Sequence, residues 1–142
     1  MIKAFIIYGN DGCHPIFAEF LDVVPHKLQY YMQNEPFQKI SDDILQEHDL
    51  KVHTEHYHSL RLVVYTSRGM SSGEGKHFLH VIKDMLVHLF NHGTERCIRT
   101  ESHKLRKLLT LMVHHGKLVE TRPNHLLQLL EARPMDQLWR NH

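Results

Sequence analysis

Apolar residues recur at helical spacing along the second half of the chain, most clearly in residues 76–92. One continuous apolar face is formed there by Phe78, Leu79, Ile82, Met85, Leu86, Leu89 and Phe90. Intervals of three and four positions predict an amphipathic helix over this stretch. The glycine- and serine-rich residues 69–75 predict a flexible connection before the helix, and Gly93 predicts its carboxyl end.

The residues before this helix favour strands. Residues 2–8 are rich in β-branched and aromatic side chains, and the Gly-Asn-Asp-Gly turn at residues 9–12 follows them. Residues 15–21 then predict the strand that completes a hairpin. Residues 50–57 and 60–66 predict a second antiparallel pair, because only a short link separates the two apolar runs.

The remaining segments predict one more strand and three helices. Residues 25–34 suit a short helix with proline in its first turn, and residues 40–46 are assigned to a short strand. Leucines at helical spacing predict helices over residues 102–115, closed by Gly116, and over residues 124–131. The predicted order is β-β-α-β-β-β-α-α-α, which indicates an α+β domain with one antiparallel sheet.

Length and composition limit the classes of protein to consider. The 142 residues suit a single domain, residues 1–142, with a sizeable core. A formal net charge of +1 argues against a nucleic-acid surface, which needs clustered lysine and arginine. No apolar run approaches the ~20 residues of a membrane span, and the start lacks a secretory cleavage pattern, so a cytoplasmic protein is expected.

The loop before the central helix resembles a phosphate-binding loop only superficially. That motif needs four residues between its first glycine and the Gly-Lys pair, followed by serine or threonine. Here five residues separate Gly69 from the Gly75-Lys76 pair, and His77 follows the lysine. We therefore expect no bound nucleotide.

Fifteen histidines raise the possibility of a metal site. On an extended strand His56 and His58 share a face while His53 takes the other, so the three side chains do not converge. His88 and His92 have the spacing that puts two imidazoles on one helix face, but no glutamate of the zinc-hydrolase pattern lies between them. The sequence predicts no metal and no cofactor.

The sequence gives little support for a catalytic function. Cys13 and Cys97 have histidines nearby in sequence, but no oriented third group or oxyanion donor pair is evident. Their wide separation also predicts free thiols rather than a metal or redox pair. A small metal- or cysteine-dependent hydrolase stays an alternative, while the leucine-rich helices indicate a non-enzymatic chain that is bound by another protein.

Two segments carry a resemblance to a known family. Residues 49–52 read Asp-Leu-Lys-Val, and Tyr57, Ser59 and Leu60 follow at the entry to the next strand. Residues 116–121 read Gly-Lys-Leu-Val-Glu-Thr, with a pair of leucines beyond them. In this order the segments resemble the small (sigma) subunits of the adaptor-protein complexes and, more distantly, the zeta subunit of coatomer.

The resemblance implies a longin-like domain, a five-stranded antiparallel sheet flanked by helices on both faces. It also implies a non-enzymatic small subunit that the N-terminal helical solenoid of a large adaptor subunit holds within a heterotetrameric vesicle coat. Such a coat serves intracellular protein transport or clathrin-mediated endocytosis, and the subunit contacts the plasma, endosomal or Golgi membrane only indirectly. An exposed apolar patch for the partner is expected near the sheet edge and the C-terminal helices.

The family's pocket for acidic dileucine cargo is largely degraded in this sequence. Leu60 and Ile98 keep the apolar character of the equivalent positions. The departures are at Pro15, which replaces an arginine, and at His58, Lys83 and Gly93, which replace small or apolar residues. A leucine loses much of its ~1.5 to 3 kcal/mol of burial beside an ammonium group, so ordinary binding of acidic dileucine peptides is not expected.

Because the dileucine pocket is degraded, an outlying coat complex is favoured over a standard clathrin adaptor. The small subunit of the TSET complex, or of its plant form the TPLATE complex, is the first candidate, and a divergent ordinary sigma subunit is the second. A longin-fold subunit of a tethering or exchange-factor assembly is the alternative. Residues 133–142, which include Trp139, extend beyond the resemblance, and Trp139 is expected to anchor this tail.

Overall fold

The computed structural model describes residues 1–11, 13–90 and 95–131. Four longer strands and six α-helices make up most of this part of the chain. In chain order the elements are β1 Ile2–Tyr8, β2 Pro15–Phe20, α1 His26–Asn34, a 3-10 turn Phe37–Lys39, α2 Asp42–Glu47, β3 Leu50–Tyr57, β4 Leu60–Ser67, α3 Ser72–Leu89, α4 Glu95–Thr100, α5 Ser102–Met112, β5 Val113–His114, β6 Lys117–Leu118 and α6 Pro123–Glu131.

The main sheet is antiparallel throughout, with the strand order β2-β1-β4-β3. The two central strands, β1 and β4, are almost entirely buried. Side chains of β1 alternate between the two faces of the sheet, but a register shift between Ile2 and Ala4 interrupts this alternation. Ile2 and Phe5 therefore contribute to the same core. Both faces of the sheet are therefore apolar and need a covering layer.

Helices cover both faces of the sheet, as the resemblance implied. On one side, which we name the four-helix face, α3, α4, α5 and α6 bury their apolar side chains in a single core. Phe5 of β1 lies in this core between the rings of Phe17 and Phe78, at centroid distances of 6.1 and 5.7 Å. On the other side, the two-helix face, α1 and α2 supply Leu28, Met32 and Leu45 to a second core.

The prediction of a five-stranded sheet is wrong for the described part of the chain, where the main sheet has four strands. Residues 40–46, predicted as a strand, lie instead largely in helix α2. Ser41 caps this helix, since its hydroxyl accepts a hydrogen bond from the backbone N–H of Ile44 at 3.4 Å. Asp42 and Asp43 then occupy the first turn, where negative charge interacts favourably with the helix dipole.

Helix α3 begins four residues earlier than the apolar spacing predicted, at Ser72 rather than at residue 76. Ser71 is its cap, and its hydroxyl accepts a hydrogen bond from the N–H of Glu74 at 3.2 Å. Serine followed three residues later by glutamate is a capping-box pattern. Much of the predicted flexible connection is therefore the first turn of the helix. The helix also ends earlier than predicted, at Leu89 rather than at residue 92, since Phe90 already has extended backbone angles of −129° and 120°. Gly93 lies outside the described residues.

Helix α5 ends at Met112, three residues before the predicted end. The chain then forms a small hairpin, β5 and β6, whose two turn residues His115 and Gly116 have φ angles of 51° and 78°. Consecutive positive φ angles are typical of the tight turn that matches strand twist. Ile2 donates its backbone N–H to the carbonyl of Gly116 at 2.6 Å, which ties the hairpin to the start of β1.

Candidate functional site

The two residues that the resemblance assigns to the apolar pocket are both core residues. Leu60 begins β4 and Ile98 lies in α4, and each is 0% exposed. They belong to the same core on the four-helix face, together with Tyr57 and Phe90. The structure therefore brings Leu60 and Ile98 into one cluster, in which each side chain packs against this protein's own residues.

His58 lies in the tight turn between β3 and β4 with a φ of 54°, a conformation that histidine adopts more readily than most residues. Its ring meets the ring of Tyr57 edge-on, with the centroids 4.6 Å apart. Tyr57 is buried, and burial raises the pKa of its hydroxyl. The imidazole of His58 thus contacts the aromatic residue next to Leu60.

Lys83 connects α3 to β3. Its Nζ lies 3.4 Å from Oε1 of Glu55, and His80 Nε2 lies 3.5 Å from the other carboxylate oxygen. A hydrogen bond from the backbone N–H of His56 and the charge of Lys83 hold the pKa of Glu55 below its usual value. The resemblance puts the Lys83 ammonium group beside the leucine pocket. In the structure this group is paired with the carboxylate of Glu55.

Pro15 begins the edge strand β2, where the missing N–H is tolerated, and it pairs with Tyr8 next to a register shift. An arginine does reach this strand, but from α5. Arg106 lies 3.2 Å from the carboxylate of Glu19, and its guanidinium lies over the ring of Phe17 at 5.3 Å. Its charge is paired with Glu19, so it does not simply substitute for the arginine that the resemblance implies at position 15.

A carboxylate occupies the end of the sheet near Pro15. Oε1 of Glu95, in the first turn of α4, accepts a hydrogen bond from the backbone N–H of Asn10 at 3.2 Å. Asn10 in turn accepts a hydrogen bond from the Ser59 hydroxyl at 2.7 Å, which joins the β1–β2 and β3–β4 turns. The other oxygen of the Glu95 carboxylate lies 3.5 Å from Nε of Arg99, so an acidic peptide residue at this end would meet an ion pair rather than a free positive charge. Gly93, the remaining predicted departure, lies outside the described residues.

The residues considered for metal or thiol chemistry do not converge in the described part of the chain. No group of three histidine, cysteine, aspartate or glutamate side chains there could hold a metal ion. The ring of His53 packs against Gly75 of α3, and its burial lowers its pKa. Cys13 and Cys97 are not joined in a disulfide. Among the described helices, none has the length and apolar character needed to cross a membrane.

Comparisons with known proteins give a match at the level of structure alone. No family model matches the sequence, and no curated protein does. A similar chain occurs in a homology model of the full-length AP-3 complex in a stretched open conformation. The two chains superpose with a TM-score of 0.66 over 99% of this chain and 95% of the other, at 16% sequence identity. The similarity shows a shared fold over nearly the whole of both chains, consistent with a longin-like domain.

Proposed function

We propose that the protein is a non-enzymatic, sigma-like small subunit of a heterotetrameric vesicle-coat adaptor complex, with residues 1–142 as one longin-like domain. The observation that carries the proposal is the fold shared with a chain of the AP-3 complex over 99% of this chain and 95% of that chain. The segments that resemble sigma subunits point the same way. Its role is to stabilise the large-subunit core during intracellular protein transport or clathrin-mediated endocytosis.

In this proposal the N-terminal helical solenoid of a large adaptor subunit holds the protein on the cytoplasmic side of a coated membrane. Membrane contact is indirect, through the other subunits. The paired Lys83, the buried Leu60 and Ile98, and the proline at position 15 support a complex that does not read acidic dileucine cargo through this subunit. A TSET- or TPLATE-type complex is the finer assignment that we favour on this basis.

The two-helix face is the side that we assign to the large subunit. Among the described helices, α1, of nine residues, and α2, of six, cover it, whereas four helices cover the opposite face. Tyr30, on α1, is 55% exposed, and Val23, in the loop before α1, is 83% exposed. The sequence favoured the sheet edge and the C-terminal helices instead, and the thinner helical cover together with these two exposed side chains is what supports the two-helix face.

Affinity purification of the tagged protein from its own cells tests the proposal. We expect a large adaptor subunit and two further coat subunits to be recovered in comparable amounts. The double variant Val23→Asp, Tyr30→Asp is expected to lose most of the large subunit, because two charges would enter an apolar contact. Val87→Asp, at a position 59% exposed on α3, is the matched control and should retain the subunit.

Two results would overturn these assignments. Recovery of tethering or exchange-factor subunits in place of adaptor subunits would replace the proposed function with the alternative longin-fold role. Normal recovery of adaptor subunits by the Val23→Asp, Tyr30→Asp variant would keep the function and reject the assigned face.

Titration with an acidic dileucine peptide tests the degraded pocket. We expect no saturable binding in the micromolar range by fluorescence anisotropy, because Leu60 and Ile98 are buried in the protein's own core and Pro15 offers no charge to the acidic residue of the peptide. A clathrin-adaptor core that retains the family's arginine is the positive control. Micromolar binding by this protein would show that a leucine pocket survives.

A further inference from the structure

Strand β3 is one of the two edges of the main sheet, and in the described part of the chain no strand pairs with its outer side. It has eight residues, against roughly five or six in a typical strand, and its register with β4 is continuous. The opposite edge, β2, is shorter, begins with Pro15 and has a register shift beside that proline. Prolines and bulges protect an edge from further pairing, so β3 is the less protected edge.

Two hydrogen bonds show which backbone groups of β3 face outward. The carbonyl of Asp49 accepts a hydrogen bond from the N–H of Arg68 at 3.1 Å, so the backbone at this odd-numbered position is directed towards β4. The N–H of His56 instead donates to Oε1 of Glu55 at 3.3 Å. Backbone direction alternates along an antiparallel strand, so the even-numbered positions face away from β4. The outward N–H and C=O groups are those of Val52, Thr54 and His56.

These outward groups specify the class of ligand. A donor and an acceptor that recur at every second residue are matched by the backbone of an extended peptide, which adds a strand to the sheet. No described residue bonds to the outward groups of Val52 and Thr54, and the side chain of Thr54 is exposed. The edge of β3 is therefore accessible to an extended segment.

A groove with a volume of about 390 Å³ follows the first half of this edge, between α2 and the start of α3. On the two-helix side it is lined by the apolar residues Leu45, Leu50 and Val52, and on the four-helix side by Lys51 and His53. Successive side chains of an added strand point to opposite sides of the sheet. One set would therefore meet the apolar wall, and the other would meet Lys51 and His53.

The charge on the four-helix side of the groove is positive. Burial lowers the pKa of His53, and the charges of Lys51 and Lys76 lower it further, with no carboxylate to offset them there. Neither lysine forms an ion pair with a described residue. The next acid along the strand, Glu55, is already paired with a lysine of α3. Asp42 also lines the groove, but it belongs to α2 on the two-helix side.

We propose that β3 binds an extended, acidic segment of a protein partner as an added strand. Backbone hydrogen bonds hold the segment, apolar residues at every second position cover the two-helix side of the groove, and the intervening carboxylates face Lys51 and Lys76. The site lies at the opposite end of β3 from Leu60, so it is separate from the degraded dileucine pocket. The proposal goes beyond the subunit role, because it assigns a second protein ligand that the isolated chain binds.

Segments of the protein itself fit this edge less well. Residues 132–142 have no β-branched residue, contain Pro134 and carry two arginines against one aspartate. Such a segment is a poor strand, and its charge has the same sign as the four-helix side of the groove. On that side, β3 of a second copy would present Lys51, His53 and Glu55, of which only one is acidic. An external acidic segment is thus the occupant that both the backbone and the charge favour.

A designed peptide tests the proposal with the full-length chain. The fluorescein-labelled peptide alternates glutamate and valine over about ten residues, slightly more than the length of β3. We expect saturable micromolar binding by fluorescence anisotropy that weakens as salt screens the charges. The same peptide with lysine in place of each glutamate should not bind in this range. Absence of saturable binding, or equal binding of both peptides, would overturn the proposal.

Methylation of the peptide's backbone amides separates strand addition from other binding in the groove. An added strand presents every second amide to β3, so only one alternate set of N–H groups forms hydrogen bonds with it. Methylating that set should abolish binding, whereas methylating the other set should be tolerated. Equal binding of the two methylated peptides, or loss of both, would overturn the proposal.

A pair of charge variants locates the binding. Lys76→Glu is expected to weaken it roughly three- to thirtyfold, because one attraction is lost and a repulsion of similar size is gained. Lys107→Glu makes the same change at an exposed lysine of α5, the helix whose Arg106 pairs with Glu19 on the opposite edge of the sheet. It should leave the affinity unchanged, and an equal effect of the two variants would reject the β3 edge as the site.

A pair of backbone variants tests the outward N–H groups. Thr54→Pro removes one of them without removing a hydrogen bond to β4 and should abolish binding, whereas Thr54→Ala keeps the N–H and should bind normally. Circular dichroism checks that the proline variant is folded. If it is not, the methylated peptides decide the same question. Normal binding by a folded Thr54→Pro variant would contradict the proposal.

Two further measurements separate the other occupants. Leu138→Pro, which disfavours a strand in residues 132–142, is expected to leave the affinity unchanged. Tighter peptide binding by this variant would assign the edge to that segment and overturn the proposal. Sedimentation should give a monomer for the isolated wild-type chain. A dimer that Thr54→Pro dissociates would assign the edge to a second copy and would equally contradict the proposal.

Discussion

Replacing Leu60 or Ile98 with alanine is expected to lower the free energy of unfolding by about 2–5 kcal/mol, the usual cost of truncating a fully buried aliphatic side chain. Each residue is 0% exposed in the core of the four-helix face. The loss includes the transfer free energy of the deleted methyl groups and the cost of the cavity that they leave. Urea denaturation followed by circular dichroism measures this loss of stability. The slope of the unfolding free energy against urea concentration should stay unchanged.

Leu129→Ala is the matched control for these two variants. Leu129 lies on α6 and is 38% exposed, so its truncation should cost less than about 1 kcal/mol. If Leu60→Ala and Ile98→Ala cost no more than the control, the two side chains line an accessible pocket rather than the core. The prediction that dileucine peptides do not bind would then lose its main support.

Gly116→Ala is expected to destabilise the protein by about 2–4 kcal/mol, because two costs combine at one residue. The φ of Gly116 is +78°, which strains any residue with a Cβ. The added Cβ would also lie 3.1 Å from the carbonyl oxygen of Ile2 and 3.2 Å from Cβ of Asp22. The oxygen belongs to the backbone of a central strand, so it cannot easily move away. Thermal and urea unfolding measure the change.

His115→Gly tests the conformational part of this explanation at the neighbouring residue. His115 has a φ of 51°, so glycine relieves strain there while it adds freedom to the unfolded chain. The two effects nearly cancel, and the expected change in the free energy of unfolding is within about 0.5 kcal/mol. A Gly116→Ala cost as small as this would contradict the close packing of the hairpin against β1.

The elements with a long, regular pattern could be predicted from the sequence. The apolar face assigned to the central helix is the one that α3 buries: Phe78, Leu79, Ile82, Met85 and Leu86 are at most 1% exposed. Both predicted hairpins of the main sheet are also present. In these segments local spacing and tertiary burial favour the same structure, which explains the agreement.

The short elements could not be assigned in this way. Helix α2 has six residues, and its signal was the cap at Ser41 followed by two aspartates rather than an apolar period. Helix α4 was not predicted, because its six residues bury only Ile98. The strands β5 and β6 have two residues each, too few for alternation to be recognised, and only the turn at Gly116 marked their position.

The contacts that decide the candidate site join residues far apart in the chain. Lys83 pairs with Glu55, which is 28 residues away in the sequence, and Arg106 pairs with Glu19, which is 87 residues away. A periodic pattern reports which side of an element is apolar, but it does not tell which charged residues meet once the elements pack. The groove between α3, α5 and α6 was likewise not evident from the sequence, because it forms only where the three helices pack together.

Co-expression with the large adaptor subunits of the same organism tests the central claim most directly. We predict that one of them, through its N-terminal helical solenoid, forms a complex with this protein that contains one copy of each chain, as measured by light scattering after gel filtration. The protein should then resist limited proteolysis better than it does alone, because its exposed apolar residues become covered. Separate elution of this protein from every large adaptor subunit would contradict the assignment to an adaptor complex.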